Sequence, residues 1–237
     1  MTTPFPQPPK LRAAVIIDYQ NVHLTARNTF DPDGPVWNSI IEPTQFARTA
    51  IAHRNKKLRP GYQAARLVRV SAFRGLPHVD HEPTQHRRCQ QMARNWRLAG
   101  ADVQLRDLKY DYERDYSGKP TLDVNGKRIP LGPPREKGID VLCALACVRA
   151  ALDPEIDLVI LASRDTDLVP VLDDIYDRGK VDRSVAKIET VAWYNARWRE
   201  EGTANAGSLR ATAPRRIWNT NLDRTAYEAS LDRTSYL

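Results

Sequence analysis

Long apolar runs are missing from this chain of 237 residues. No stretch approaches the roughly 20 apolar residues that a membrane-spanning helix needs, so no membrane is expected as a partner. The first ten residues, Met1-Thr2-Thr3-Pro4-Phe5-Pro6-Gln7-Pro8-Pro9-Lys10, lack the apolar core of a signal peptide. The expected setting is cytoplasmic. Cysteine is scarce as well: Cys89, Cys143 and Cys147 are odd in number, and the last two lie four apart on a predicted helix. That spacing suits packing better than a disulfide framework, and all three are expected to be reduced and to hold no metal. No glycine-rich phosphate loop occurs. His78, His81 and His86 cluster in sequence, but no cysteine or acid array completes a zinc pattern, and a solvated basic loop is the expected reading.

Charge is plentiful and unevenly divided. The formal net charge is +7, yet residues 48–109 hold fourteen Lys and Arg against four acids, a net +10. Residues 136–177 hold ten acids against three bases, a net −7. A basic flank beside an acidic focus suits a polyanion held by its phosphates. Solvation of helix faces by the same arginines is the plainer alternative, and composition does not separate the two.

The order of apolar segments alternates between strand and helix. Residues 12–17, 65–73, 101–105, 156–162 and 189–194 are short runs rich in Val, Ile or Leu and read as five strands. Residues 43–55, 83–99, 138–152 and 168–178 read as helices between them. The third is the clearest, with Val141, Leu142, Leu145, Val148 and Leu152 at helical spacing behind Gly138; Gly179 is expected to stop the fourth. Strand, crossover helix and strand in repetition make an α/β fold with a mostly parallel sheet and helices on both faces. Three segments fall outside that core. Residues 1–10 read as a mobile tail, 28–43 as a loop carrying Trp37, and 109–135 as an inserted hairpin turning at Asn125-Gly126. In a C-terminal extension over 201–237, Leu222-Asp223-Arg224-Thr225-Ala226-Tyr227 is echoed by Leu231-Asp232-Arg233-Thr234-Ser235-Tyr236. The echo reads as a repeated docking turn or tail.

Four aspartates stand where such a fold gathers its chemistry. Asp18 follows Ala14-Val15-Ile16-Ile17, and Asp165 and Asp167 follow the run 158–162 through Ser163-Arg164. These places are the carboxyl ends of buried parallel strands, where open α/β sheets keep their sites. Asp140 sits in the first turn of the helix behind Gly138. Acidic clusters there commonly hold a hard divalent cation, because such ions take oxygen ligands. Each residue also has a structural reading: Asp18 as a helix cap, Asp140 as a partner of the helix dipole, Asp167 as the cap of the next helix.

Ile17-Asp18-Tyr19-Gln20-Asn21, Glu136-Lys137-Gly138-Ile139-Asp140 and Ser163-Arg164-Asp165-Thr166-Asp167-Leu168 resemble the three acidic motifs of NYN domains, a branch of the PIN-like ribonucleases. The resemblance runs over about residues 12–194. It implies a PIN-like, Rossmann-like three-layer nuclease domain, here over residues 11–200, that hydrolyses RNA with Mg²⁺ or Mn²⁺. Position by position it implies metal-binding and catalytic roles for Asp18, Asp140, Asp165 and Asp167, with Asn21 orienting groups beside them. Ser163, Arg164, Lys137, Arg74, Arg87 and Arg88 are the expected substrate-binding residues. Tyr19, Trp37, Tyr110, Tyr112 and Tyr116 are candidates to stack on unpaired bases, and Trp193 and Trp198 read as structural.

One position departs from the family pattern. Arg164 stands where glycine is usual, and Leu168 stands for phenylalanine. An arginine there either contacts a substrate phosphate or pairs with Asp165 and weakens metal binding, so an RNA-binding module with a degenerate site stays open beside the nuclease. A haloacid-dehalogenase-type phosphohydrolase fits less well, because Leu168-Val169 supplies no threonine after Asp165-Thr166-Asp167. RNA is the expected partner. Self-association, and a protein partner on the C-terminal extension, stay open too.

Overall fold

A computed structural model describes residues 9–58, 60–195 and 207–236. Six strands form one sheet: β1 Leu11–Asp18, β2 Ala65–Leu76, β3 Asp102–Asp107, β4 Leu158–Ala162, β5 Lys187–Trp193 and β6 Asn219–Leu222. Their order is β3-β2-β1-β4-β5-β6 and every neighbouring pair is parallel. Six α-helices are described: α1 Tyr19–Phe30, α2 Pro43–Lys56, α3 Pro83–Leu98, α4 Ile139–Ala151, α5 Val169–Val181 and α6 Arg224–Ser230. The sheet therefore has one strand more than the five expected. β6 is Asn219-Thr220-Asn221-Leu222, which carries no apolar run and becomes a strand through its pairing with β5.

Strand periodicity divides the core. Ala13, Val15 and Ile17 of β1 face α1, α2, α3 and α6, whereas Ala14 and Ile16 face α4 and α5. The same alternation continues past the apolar run. It puts Asp18 on the α4 side, together with Phe73, its partner on β2. Arg74, one residue further along β2, then belongs to the α1 and α3 side.

Several expectations need correction. The stripe that marks α4 in the sequence is split: Val141, Leu145 and Leu152 are exposed and Leu142 and Val148 half-buried against the core, while Ile139, Cys143, Cys147, Ala150 and Ala151 are buried. The helix is apolar on all sides, so periodicity cannot choose its inner face, and the small Cys and Ala side chains allow it to lie close on the sheet. Gly179 does not stop α5, which runs two residues further to Val181. Residues 28–43 are not simply a loop, because α1 reaches Phe30 and a 3-10 turn spans Val36–Ser39. Residues 109–135 form two hairpins rather than one, with antiparallel bridges Arg114↔Pro120 and Leu122↔Arg128 above a root at Lys109↔Arg135. Each turns at an Asp-x-x-Gly-Lys sequence whose aspartate, Asp115 or Asp123, accepts the amide of the lysine four residues on.

The histidines do more than solvate a loop. His81 packs its ring on Tyr110 and Tyr112, which joins the base of the 109–135 insertion to the segment before α3, and His86 on α3 bonds the Pro77 carbonyl at 2.7 Å. All three cysteines are free and buried. No helix among the described residues is long and apolar enough to cross a membrane. Residues 1–8 of the expected tail, and Trp198, lie outside the described residues.

Candidate active site

The strand order reverses between β1 and β4, since successive connections lead from β1 to one side of the sheet and from β4 to the other. A crevice at the carboxyl ends of those two strands is the place where folds of this kind bind ligands. Asp18 is the last residue of β1. It is 6% exposed, and its two oxygens are held by different donors: the Asn21 amide to Oδ1 at 3.4 Å and the Ser163 hydroxyl to Oδ2 at 2.8 Å. The first bond is the N-cap of α1, so the capping and functional readings of this residue coexist.

Ser163 links the two strand ends. Its Oγ accepts the Asp165 amide at 3.0 Å while its hydroxyl donates to Asp18, which makes a chain from the turn after β4 to the end of β1. Asp165 in turn accepts the Asp167 amide at 3.0 Å and caps the 3-10 turn Thr166–Leu168. Asp167 itself is exposed and does not cap α5, whose start has no side-chain cap. Asn21 reaches across from α1, its Oδ1 accepting the Arg164 amide at 3.0 Å.

Of the two postures set out from the sequence, the Arg164 side chain does not adopt the pairing with Asp165. Its Nε donates to the Gly207 carbonyl at 3.0 Å, and among the described residues it forms no ion pair with Asp165. Its partial burial lowers its pKa. The arginine thus leans toward the C-terminal segment and leaves the carboxylates unneutralised.

Asp140 enters from α4. Gly138 caps that helix in the left-handed region at φ 79°, contributes no side-chain bond, and leaves Asp140 in the first turn. Burial raises the pKa of Asp18 most, the Ser163 and Asn21 bonds oppose that rise, and the charges of Asp165 and Asp140 add to it. Asp18 therefore senses the charges of Asp165 and Asp140 from two other elements.

Glu136 is a member that sequence reasoning passed over. Its Oε1 accepts the Gly75 amide at 2.5 Å, and burial, with Asp18 as a further contributor, pushes its pKa up to about 7. Gly75 makes the approach possible, because a Cβ there would lie 2.7 Å from Glu136 Oε1 and 2.3 Å from Leu108. The one available signal was its place in the motif Glu136-Lys137-Gly138-Ile139-Asp140.

The basic candidates are dispersed. Lys137 is exposed beside the start of α4. Arg74 lies on the opposite face of the sheet, its guanidinium 4.9 Å from the Tyr19 ring centre and 5.8 Å from that of Trp96. Arg87 is exposed on α3 and Arg88 half-buried on it. Of the wider basic half, Arg54 is fully committed inside the fold to Glu189, through bonds of 2.7 and 2.8 Å. Among the aromatics, Tyr19 is buried and bonds the Ile41 carbonyl, whereas Tyr116 and Trp37 are exposed. Trp193 is structural, donating to the Val22 carbonyl at 2.9 Å.

No curated protein and no solved structure matches the chain. The model of one protein family, described as the NYN domain, matches residues 12–183, which is more than half of the chain. The match takes in all three acidic motifs and the ends of β1 and β4. The chain belongs to the NYN domain family, of the PIN-like nuclease superfamily.

Proposed function

We propose that the protein is a metal-dependent endoribonuclease that hydrolyses phosphodiester bonds of RNA at the β1–β4 crevice. The observation that supports this most is the chain of bonds from the Asp165 amide through Ser163 Oγ to the Asp18 carboxylate, which ties the turn after β4 to the end of β1, while Asp140 stands in the first turn of α4. NYN and PIN-like nucleases generally use divalent metals. The donors here are all oxygens, as Mg²⁺ or Mn²⁺ prefers, and the pKa of Asp18 is raised first by burial and then by the charges of Asp165 and Asp140, both of which a bound cation offsets. Among the described residues, no group of three or more His, Cys, Asp or Glu is close enough to hold one ion. The set therefore fits a largely hydrated ion held by one or two carboxylates, as is usual for Mg²⁺. Asp18, Asp165 and Asp140 are the residues to hold it, with Asp167 outside them. When bound, such an ion polarises the phosphodiester and lowers the pKa of a water.

The chain's own residues do the rest. Ser163 and the Asn21 amide fix the Asp18 carboxylate in one rotamer. Asn21 fixes the Arg164 backbone and so the turn that carries Asp165. Lys137 and the start of α4, whose Gly138 cap supplies no side-chain bond, supply positive potential for a phosphate approaching Asp140. Glu136, protonated over part of the neutral range, is placed to hold or release a proton at the crevice wall.

A second reading, an RNA-binding regulatory module without catalysis, is favoured by the spacing of the acids and by Arg164 in the position of the usual glycine. One experiment separates the two. Labelled RNA incubated with Mg²⁺ or Mn²⁺ is expected to be cut internally by the protein, and Asp18→Asn is expected to abolish cutting while its thermal melt stays close to the parent's. Equal cleavage by Asp18→Asn would sink the site assignment. Salt-sensitive RNA binding by the parent protein, with no cleavage under either metal, would favour the second reading.

A further inference from the structure

A cavity of about 880 Å³ opens on the face of the sheet opposite the acids, and none of Asp18, Asp140 or Asp165 lines it. Its volume is within the roughly 300–1,000 Å³ typical of sites that enclose small-molecule-sized groups. α1, the Val36–Ser39 turn and α3 form three sides. The fourth is built by the echoed hexapeptide: Arg224 and Tyr227 from the first copy, and the whole of Leu231–Tyr236 from the second. The copies have diverged in structure. Asp223 caps α6 through the Ala226 amide, whereas Asp232 pins an extended segment, its Oδ2 accepting Trp96 Nε1 at 2.7 Å and the Tyr236 hydroxyl at 2.5 Å.

The lining is unusual in what it leaves unused. Trp37 is 70% exposed, and among the described residues its ring meets no other aromatic ring. Arg74, Arg88 and Arg233 line the cleft without an ion pair to any described carboxylate. Arg88 Nε is buried and has no hydrogen-bond partner, and Arg74 Nη1 meets only the Met92 sulfur at 3.1 Å. A buried guanidinium N–H without an acceptor costs free energy that a phosphate oxygen recovers. Of the three acids that line the cleft, Asp232 already accepts two donors, and Asp31 and Glu228 form no ion pair among the described residues. An exposed indole beside unpaired arginines suits an unpaired base with its phosphate, since a base inside a duplex shows no free face to stack on.

We propose that this cleft, walled by the repeated C-terminal hexapeptide, is a nucleotide subsite for single-stranded RNA, with Trp37 stacking on a base and Arg88 and Arg233 holding the adjoining phosphate. The subsite rests on the reading of the protein as acting on RNA, and deepens it to single strands. Its position supports the link: Arg74 follows Phe73, which pairs with Asp18, so a strand crossing the ends of β1 and β2 passes from the cleft to the acids.

Binding of a fluorescein-labelled ten-nucleotide oligouridylate is measured by anisotropy, in the Asp18→Asn background and without divalent metal. Trp37→Ala is expected to weaken binding about tenfold, the scale of one stacked base, and Trp37→Phe to recover most of it. Arg88→Gln is expected to lower the slope of log Kd against log salt by about 0.7, the value for one phosphate contact on a single strand. Duplex RNA of the same length is expected to be indifferent to Trp37→Ala. Unchanged single-strand affinity in both Trp37→Ala and Arg88→Gln, with circular dichroism matching the parent, would overturn the subsite and leave the cleft to a protein segment. Cleft-dependent binding with no cleavage by the Asp18-bearing protein supports the subsite while overturning the nuclease; cleavage without cleft dependence does the reverse.

Discussion

Glu136 shows how one residue reports on the charge of the whole crevice. Its carboxyl has an ordinary pKa of 4.5 and is pushed up to about 7 by burial first, with the Asp18 charge adding to that and the Gly75 bond opposing it. The folded protein therefore keeps this proton over a range where the unfolded chain has lost it. The stabilisation is fully present below about pH 4.5 and is lost as pH rises toward 7. Glu136→Gln retains an acceptor for the Gly75 amide and removes the buried charge. In EDTA the variant is expected to be about 1–3 kcal/mol more stable than the parent at pH 8, and no more stable at pH 4.5. Urea titrations at the two pH values check this, and a gain of equal size at both would mean that Glu136 carries no buried charge. None of this was legible in the sequence, because the bond that seats Glu136 crosses 61 positions to Gly75. Asp18 was legible for the opposite reason: four consecutive apolar residues before it announce a buried strand and therefore the place where that strand ends.

At the scale of elements, α4 shows how a local conformation sets a functional side chain. Gly138 holds φ 79°, and a Cβ there would meet its nearest neighbour, the Arg106 guanidinium carbon, at 3.4 Å. Space is adequate, so strain alone decides, and Gly138→Ala is expected to cost about 1–2 kcal/mol and to lower cleavage by displacing the turn that carries Asp140. A melt paired with an RNA cleavage assay reads both. The link between α2 and β5 is of another kind. Arg54 grips Glu189 through two bonds and also donates to the Gln63 carbonyl at 3.0 Å, with both side chains almost wholly buried. Arg54→Met leaves Glu189 buried without its partner and is expected to destabilise the fold by about 3–5 kcal/mol in urea denaturation, while Arg54→Met with Glu189→Leu recovers most of that loss. A double variant no better than the single would mean that packing, rather than the orphaned charge, sets the penalty. Sequence periodicity found α2, α3, α4 and α5, but it passed over α1. That helix holds Asn21, His23, Thr25, Asn28 and Thr29, all weak helix formers, and is fixed by the Asp18 cap and the inward row Tyr19, Val22, Ala26 and Phe30.

For the molecule as a whole, the family's boundary and the fold's boundary differ. The NYN match ends at residue 183, before β5, β6 and α6. Yet β5 carries Trp193, whose ring packs on Phe30 and Phe46, and the same core cluster includes Val191, Leu222, Ala226 and Tyr227. Fully burying one large apolar side chain is worth about 1.5–3 kcal/mol, against a total stability of about 5–15 kcal/mol for a domain. Losing this set removes most of that margin, and it also leaves Arg54 buried without Glu189. The uncovered edge of β4 would then present unpaired backbone groups to other chains. A fragment spanning 9–183 is therefore expected to show no cooperative thermal transition and to elute as aggregate in size-exclusion chromatography, whereas the full chain melts in one transition. A soluble, cooperatively melting fragment would instead make β5 and β6 an addition to a self-sufficient nuclease core, and the C-terminal wall of the cleft would then be a separable device.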